Sequence, residues 1–589
     1  MVLEENIFIR IQIKVKIKKT NFSQQKCKTS ANPNKMCFCS FFHKYFRKSK
    51  RKSKSRISRL IANDSAFSIE SSLVAAKSSL MPIRMTYDDP RIIIIGAGAA
   101  GLSCATKLME FGFENISILE AENRIGGRIH TQQFGDNVID FGAQWVHGQE
   151  GNVVYEMVQQ NDCLETTGEI YYTFECIRSN GEVLTKETTN RLKEMLRNIL
   201  ENHAEDMFSF KGSFGDFLSE RFQEVVGSLS DSKINEEVAW EFLENFKKIE
   251  SSETASGMDE VSAKGIHDYW QCPGDYLLNW KDKGYVRFLH MLMGSNEEYH
   301  FGQLEERLKF NCPVDQIQWN LDNGKAIVRC ANGLYEYEAD HVVITVSLGV
   351  LKEKLESMFH PPLPLQKKLA IVGLGYGSVG KIFLEFPNRF WPENWYGFTM
   401  LWLKKDLEDL QRTPYEWVEE IFGFYCVNYQ PRILLAWIVG SYVLKLENMP
   451  EDQVIAGCMY LLRRFLWQWE IPEPLNIQVS HWQSNPNFLG AYSFRSMLSE
   501  QLNVSAMQLS QPLIIRMPEI PSHQSCSSNS IFSHSSKNKP AATMCSKNFK
   551  PILLFAGEAT SMHHFSTVHG AVESGYREAN RLVNYYNKE

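Results

Sequence analysis

Three glycines in the run Gly96-Ala97-Gly98-Ala99-Ala100-Gly101 follow directly on the apolar stretch Arg91 to Ile95, and a carboxylate, Glu120, ends the next apolar stretch. That order can hold a dinucleotide. Gly96 makes the tight turn, Gly98 lets the backbone approach a pyrophosphate, and Gly101 lets helix and strand pack closely. The first helical turn, with Ala99 and Ala100, offers free N–H groups and a favourable dipole to the phosphates. Glu120 lies roughly 20 residues beyond the glycines, where a carboxylate accepts from both ribose hydroxyls. GxGxxG alone also describes an ordinary Gly-rich turn; strand, helix and acid falling in register are what point to a dinucleotide. A second glycine pair between two cations, Arg124-Ile125-Gly126-Gly127-Arg128, suits a longer cofactor gripped from two sides.

The elements that must position these residues are legible from periodicity. Arg91 to Ile95 reads as a buried parallel strand, Leu102, Ala105 and Leu108 as one face of the following helix, and Ile116 to Leu119 as the second strand. Charged helical patterns from Asn190 to Asp206 and from Asn235 to Ile249 indicate a second domain. The helix Tyr285 to Met293, a strand at Pro313-Val314, the strand Asp340 to Ser347, the strand Pro551 to Phe555 and the helix Gly570 to Tyr586 return the chain to the first. The expected architecture is α/β. A Rossmann-like nucleotide domain is built from 87–165, 281–350 and 546–589, with an α+β substrate domain from 166–280 and 351–545. Residues 522–550, rich in Ser, Lys and Asn, read as a surface loop.

The chain has 589 residues, 43% of them hydrophobic, enough for large buried cores. Its net charge of −6 conceals an asymmetry: residues 1–60 hold 17 Lys and Arg against 2 Asp and Glu, so the rest carries −21. An acidic body favours encounter with a polycation, and is also ordinary for solubility. Residues 1–86 read as a basic, disordered extension; sharper readings are nuclear import, nucleic-acid contact or an anionic membrane. No stretch approaches the roughly 20 apolar residues of a membrane span. The 13 cysteines show no paired framework, which points to reduced thiols and a cytoplasmic or nuclear location. The polar C-terminal Asn587-Lys588-Glu589 is not a peroxisomal tripeptide. Histidines and cysteines lack ligand spacing, so no metal site is expected.

The run Arg124 to Thr131, in the pattern RxGGRxxT, together with Gly557-Glu558 and Phe141-Gly142-Ala143-Gln144-Trp145-Val146-His147-Gly148, resembles the FAD-dependent amine oxidases. Within that family the His-Gly pair is similar to the polyamine oxidase branch, most of all its spermine-oxidising members. The resemblance covers about 88–588 apart from the Ser-rich loop. It implies FAD contacts at Arg128, Gly142, Ala143, Gln144, Trp145, Trp482, Gly557, Glu558, Thr567 and Val568, with Val314 by the adenine, although Val314 also reads as a plain core valine. It further implies that Lys381 holds a water near the flavin, and that Tyr492 forms one aromatic wall beside the amine while Thr567 replaces the second. His147 would meet an inner substrate nitrogen. Where the monoamine oxidases carry a flavin-bonded cysteine this chain has Ala491, so the FAD is expected to be non-covalent.

A buried strand lysine is costly unless bonded, which favours a functional Lys381, although strand alternation could equally put it in solvent. Histidine accepts from an amine only while neutral. The acid expected before Met258-Asp259-Glu260-Val261-Ser262 is missing at its offset; Glu250 and Glu253 lie close, and which of them meets the far ammonium stays open. The implied activity is oxidation of spermine by molecular oxygen to spermidine, 3-aminopropanal and hydrogen peroxide, through hydride transfer to the flavin and imine hydrolysis. Alternatives are an N1-acetylpolyamine oxidase, a lysine demethylase-like amine oxidase, and a non-catalytic flavin-binding interaction protein.

Overall fold

The computed structural model describes residues 89–166, 174–227, 235–295, 302–517 and 549–587. The basic segment 1–86, and with it the nucleic-acid reading, lies outside them, as does all but the end of 522–550. Ile92–Ile95 is central to a six-stranded sheet whose order is Leu513–Arg516, Phe549–Phe555, His341–Ile344, Ile92–Ile95, Ile116–Leu119, Leu308–Lys309. All its pairings are parallel except that of the edge strand Leu513–Arg516. The continuous apolar run explains why: alternate side chains enter different cores, Ile92 and Ile94 on one side and Ile93 and Ile95 on the other. A parallel strand covered on both faces asks for that sequence. The helix Ala99–Glu110 packs against the last helix, Val568–Tyr586, and Ser103 Oγ donates to Val572 O at 3.2 Å. Phe549 and Lys550, read from sequence as the end of the loop, begin the strand that runs to Phe555.

A second six-stranded sheet, largely antiparallel, runs Asn476–Val479, Val379–Glu385, Gln430–Val439, Ile421–Val427, Gly397–Leu401, Glu175–Arg178. Its alternation divides the strand Val379–Glu385 between two environments. Ile382 and Leu384 pack with Val454, Leu461 and Leu462 of the helix Glu451–Phe465, while Phe383 faces Phe141 and Trp482 on the opposite side. Lys381, in phase with Phe383, therefore points away from the helix and inward. A small sheet of Trp145–Val146, Leu278–Trp280 and Leu164–Thr166 carries His147 directly after one strand and Tyr276 two residues before another. The hairpin of Val314–Gln318 and Ala326–Cys330 holds the expected strand at Pro313-Val314.

That hairpin corrects the reading of uniformly reduced cysteines. Its register sets Val314 opposite Cys330, which brings Cys312 alongside, and Cys312 and Cys330 form a disulfide with Cα atoms 5.6 Å apart. Eighteen residues of sequence hid a pair that antiparallel pairing makes adjacent. Among the described residues, no helix is long and apolar enough to cross a membrane.

Candidate active site

A cavity of about 440 Å³ lies where the C-terminal ends of the first sheet's parallel strands meet the inner face of the second. Crevices at such strand ends are where nucleotides bind in α/β sheets. Gly98 and Gly126 run side by side in it, and a Cβ on Gly98 would fill the gap between them, in van der Waals contact with Gly126 O at 3.8 Å. Gly101 is the one glycine of the fingerprint that does not line the cavity. A Cβ there would stand 1.9 Å from Gly96 O, so its role is the close packing of helix on turn. Glu120 is buried at the end of its strand; Oε2 accepts from Ala97 N at 2.7 Å and Oε1 from Glu122 N at 2.9 Å. Burial pushes its carboxyl above the usual range, opposed by those two N–H groups.

Arg128 and Glu558 line the cavity and bind each other. Arg128 Nη1 lies 3.0 Å from Glu558 Oε1 and donates to Ala491 O at 2.6 Å, while Glu558 Oε2 accepts from Ser493 Oγ at 2.6 Å and Ser566 N at 2.8 Å. The pair thereby ties four segments of the wall together. Trp482 Nε1 donates to Phe141 O at 3.0 Å. Thr567 also lines the cavity, but its hydroxyl is committed elsewhere: Oγ1 donates to His564 O at 2.7 Å and accepts from Gly570 N at 3.0 Å, capping the helix Val568–Tyr586. Val314 is both core and cavity wall, 5% exposed.

Lys381 is 2% exposed, and its Nζ donates to Asp140 O at 2.9 Å, Gly142 O at 2.8 Å and Gln144 Oε1 at 2.9 Å, above the Trp437 ring at 4.7 Å. Burial lowers its pKa and the nearby Asp140 carboxyl opposes the shift. Three acceptors match the three donors of an ammonium. The expected water near the flavin would have to take the place of one of these acceptors, and the side-chain amide of Gln144 is the one that can swing away.

The other part of the cavity is built on the helix Glu236–Thr254, whose Phe242, Asn245, Phe246, Ile249, Glu250 and Glu253 fall on one face by their spacing of three and four. Asn245 fixes that face to the second sheet, donating to Met400 O at 2.8 Å and Phe422 O at 3.1 Å. Burial raises the Glu250 carboxyl well above its usual range, with Glu253 adding to it. Burial also lifts Glu253 to about 7, against the stabilising hydrogen bond that Tyr276 Oη donates at 3.0 Å. Tyr276 joins this carboxylate to His147: the two rings are 4.5 Å apart, and His147 Nδ1 lies 3.0 Å from Tyr276 O. A carbonyl can only accept, so Nδ1 carries the proton and Nε2 of the neutral ring is an acceptor. Burial keeps it neutral by lowering its pKa to about 4. Tyr492 Oη donates to Ser252 O, which seats that ring beside the same helix.

Every sequence-selected residue except Gly101 thus lines one cavity. Residues 99–583 match the family described as Flavin containing amine oxidoreductase. This chain belongs to that family. The amine oxidase is 27% identical over 533 residues to the Peroxisomal N(1)-acetyl-spermine/spermidine oxidase of Bos taurus, covering 85% of this chain and 96% of the relative. It is 28% identical over 570 residues to Probable polyamine oxidase 5 of Arabidopsis thaliana, covering 84% and 98%. A putrescine oxidase double mutant solved in a structure-based redesign of cofactor binding superimposes with a TM-score of 0.58 at 16% identity, over 84% of this chain and 99% of that one. That likeness is one of fold, and the α/β flavin amine oxidase architecture follows.

Tyr276, Trp437 and Asn245 escaped the sequence reading. Trp437 sits opposite Lys381 in the strand register, a signal that becomes visible only once Gln430–Val439 is paired with Val379–Glu385. Tyr276 stands alone in a loop, and nothing in the sequence marks it. Sequence spacing pointed to no metal site; in the structure Cys272, His564 and His569 have ligand atoms within 4.8 Å of one another. Their separation in sequence reaches nearly 300 residues, which no spacing rule reads.

Proposed function

We propose that this amine oxidase is a polyamine oxidase that converts spermine, oxygen and water to spermidine, 3-aminopropanal and hydrogen peroxide. The observation that carries the reading is the pair Glu250, buried, and Glu253, half-buried, one helical turn apart and opening on the same cavity as the glycine cradle. A free distal ammonium offers them the cation that an acetylated nitrogen cannot. His147 accepts from an inner nitrogen through neutral Nε2, Tyr492 and Trp437 present ring faces to the chain, and Lys381 holds the loop 140–144 against the second sheet. Gly96, Gly98, Glu120, Gly126 and Val314 hold FAD, which when bound supplies the two-electron acceptor for the carbon beside the nitrogen. The absence of a thiol at Ala491 supports non-covalent binding; acid precipitation that leaves the flavin on the protein would overturn this.

A second reading, oxidation of N1-acetylated polyamines, is favoured by the name of the bovine relative. Anaerobic mixing with spermine, N1-acetylspermine and spermidine separates the two, because the preferred amine bleaches the flavin absorbance fastest. Fastest bleaching by the acetylated amine would replace the spermine reading. We place the protein in the cytosol or nucleus on its basic segment 1–60; the Cys312–Cys330 bond weighs against a reducing compartment, and thiol trapping in fractionated cells tests the assignment.

A further inference from the structure

Behind the cavity wall, three chain segments bring together donors that the oxidase chemistry leaves unused. Cys272 follows the short helix Gly265–Asp268, His564 stands in the loop before the last helix, and His569 lies in that helix's first turn. Cys272 is 4% and His569 2% exposed. The Sγ of the one and a ring nitrogen of each histidine lie within 4.8 Å of one another, and none of the three lines the cavity. His564 donates from Nδ1 to Glu573 Oε2 at 2.7 Å, which leaves Nε2 as its coordinating nitrogen. His569 Nδ1 is 3.5 Å from Asn152 Nδ2, whereas its Nε2 is buried with no hydrogen-bond partner. A buried polar atom without a partner calls for an explanation, and an unseen ion is one.

We propose that Cys272, His564 and His569 bind one zinc ion. A thiolate with two imidazoles is a borderline-soft set that suits zinc, and a carboxylate behind a ligating histidine is its usual outer partner, a place Glu573 already fills. Tetrahedral bonds of about 2.3 Å to sulfur and 2.0 Å to nitrogen set the donors about 3.5 Å apart, so side-chain rotations of about 1 Å close the site, with water in the fourth position. Coordination takes a thiolate and two neutral imidazoles, so binding releases to solvent the Cys272 thiol proton and the Nε2 proton that Glu573 and Cys272 favour on His564. The ion would clamp the start of the helix Val568–Tyr586, next to Thr567, to the loop 272–276, which packs against the segment bearing His147. Gly148, with φ of 80°, already rests on Cys272, whose carbonyl oxygen would be 2.2 Å from a Cβ there.

The full-length flavoprotein, stripped with a chelator, is titrated with Zn²⁺ against a chromophoric competitor, and its zinc-edge absorption spectrum is recorded. The expected result is one zinc per chain with one sulfur and two or three nitrogen or oxygen neighbours. Cys272→Ala and His569→Ala should each weaken binding at least 100-fold while retaining flavin, and Cys458→Ala, in a distant core, should leave it unchanged. No stoichiometric binding at micromolar zinc, a spectrum without sulfur, or unaltered affinity in Cys272→Ala would overturn the assignment. If the variants do not fold, the wild-type spectrum alone decides. Metal content is read without turnover, so failure of the oxidase reading leaves this result intact.

Discussion

Glu253→Gln isolates the charge that the polyamine reading depends on, because glutamine keeps an acceptor for Tyr276 Oη while removing the carboxylate. With Glu253 raised from 4.5 to about 7, the folded protein binds a proton that the unfolded chain releases. Stability from this group is therefore full below about pH 4.5 and is lost as pH rises through 7. Moving from 4.5 to about 7 corresponds to at most about 3.4 kcal/mol, and water in the cavity reduces it to about 1–2 kcal/mol. Ligand-free Glu253→Gln should thus match wild type near pH 4.5 and melt higher at pH 8, by about 1 °C per kcal/mol for a body of this size. The ligand reverses the sign: an ammonium at about 4 Å favours the ionised carboxylate by up to about 4 kcal/mol at an effective dielectric of 20. A charged hydrogen bond worth about 1.5–3 kcal/mol predicts a 10- to 100-fold loss of affinity in the variant. Calorimetry with a diaminoalkane that lacks the oxidisable secondary nitrogen, run in buffers of different ionisation enthalpy, reads both terms. Near pH 7 wild type should release about half a proton from Glu253 on binding, and the variant should release less. Equal affinity losses for the diamine and a small monoamine, or unchanged proton release, would refute the carboxylate–ammonium pairing.

Lys381→Met strands the buried carbonyls of Asp140 and Gly142, so we expect a loss of about 2–4 kcal/mol in denaturant titrations together with slowed flavin reduction or reoxidation in rapid mixing; unchanged kinetics would leave Lys381 a purely structural residue. Gly101→Ala places a Cβ 1.9 Å from Gly96 O and should yield protein that loses its flavin on gel filtration. Thr567→Ala should cost about 1 kcal/mol of stability through the lost helix cap, with little change in kcat; a large kcat loss would return the hydroxyl to the chemistry. His147→Ala should impair spermine oxidation more than that of a small monoamine, and equal losses on both would assign the ring a structural role.

The nucleotide half of the cavity was legible because its chemistry is local: glycines, helix start and acid lie within a span of roughly 25 residues whose geometry one strand–helix–strand unit fixes. Lys381 was legible only by resemblance until pairing with Gln430–Val439 put it in phase with Phe383 and settled which face it occupies. Glu250 and Glu253 were visible as candidates, and their offset from Met258 left them undecided. What supports the role proposed for them is the helix face they share with Asn245, since its side chain grips carbonyls of the second sheet and aims that face into the cavity. Sequence could not supply Tyr276 at all, and yet the site depends on it. Its carbonyl sets the His147 tautomer and its hydroxyl meets Glu253, so one loop residue makes the histidine an acceptor and holds the carboxylate in place. A polyamine threading this cavity would meet an acceptor and an anion whose positions are fixed by the same side chain. Discrimination by nitrogen spacing should then depend on the rigidity of the loop 272–276, where Cys272 begins the proposed zinc clamp.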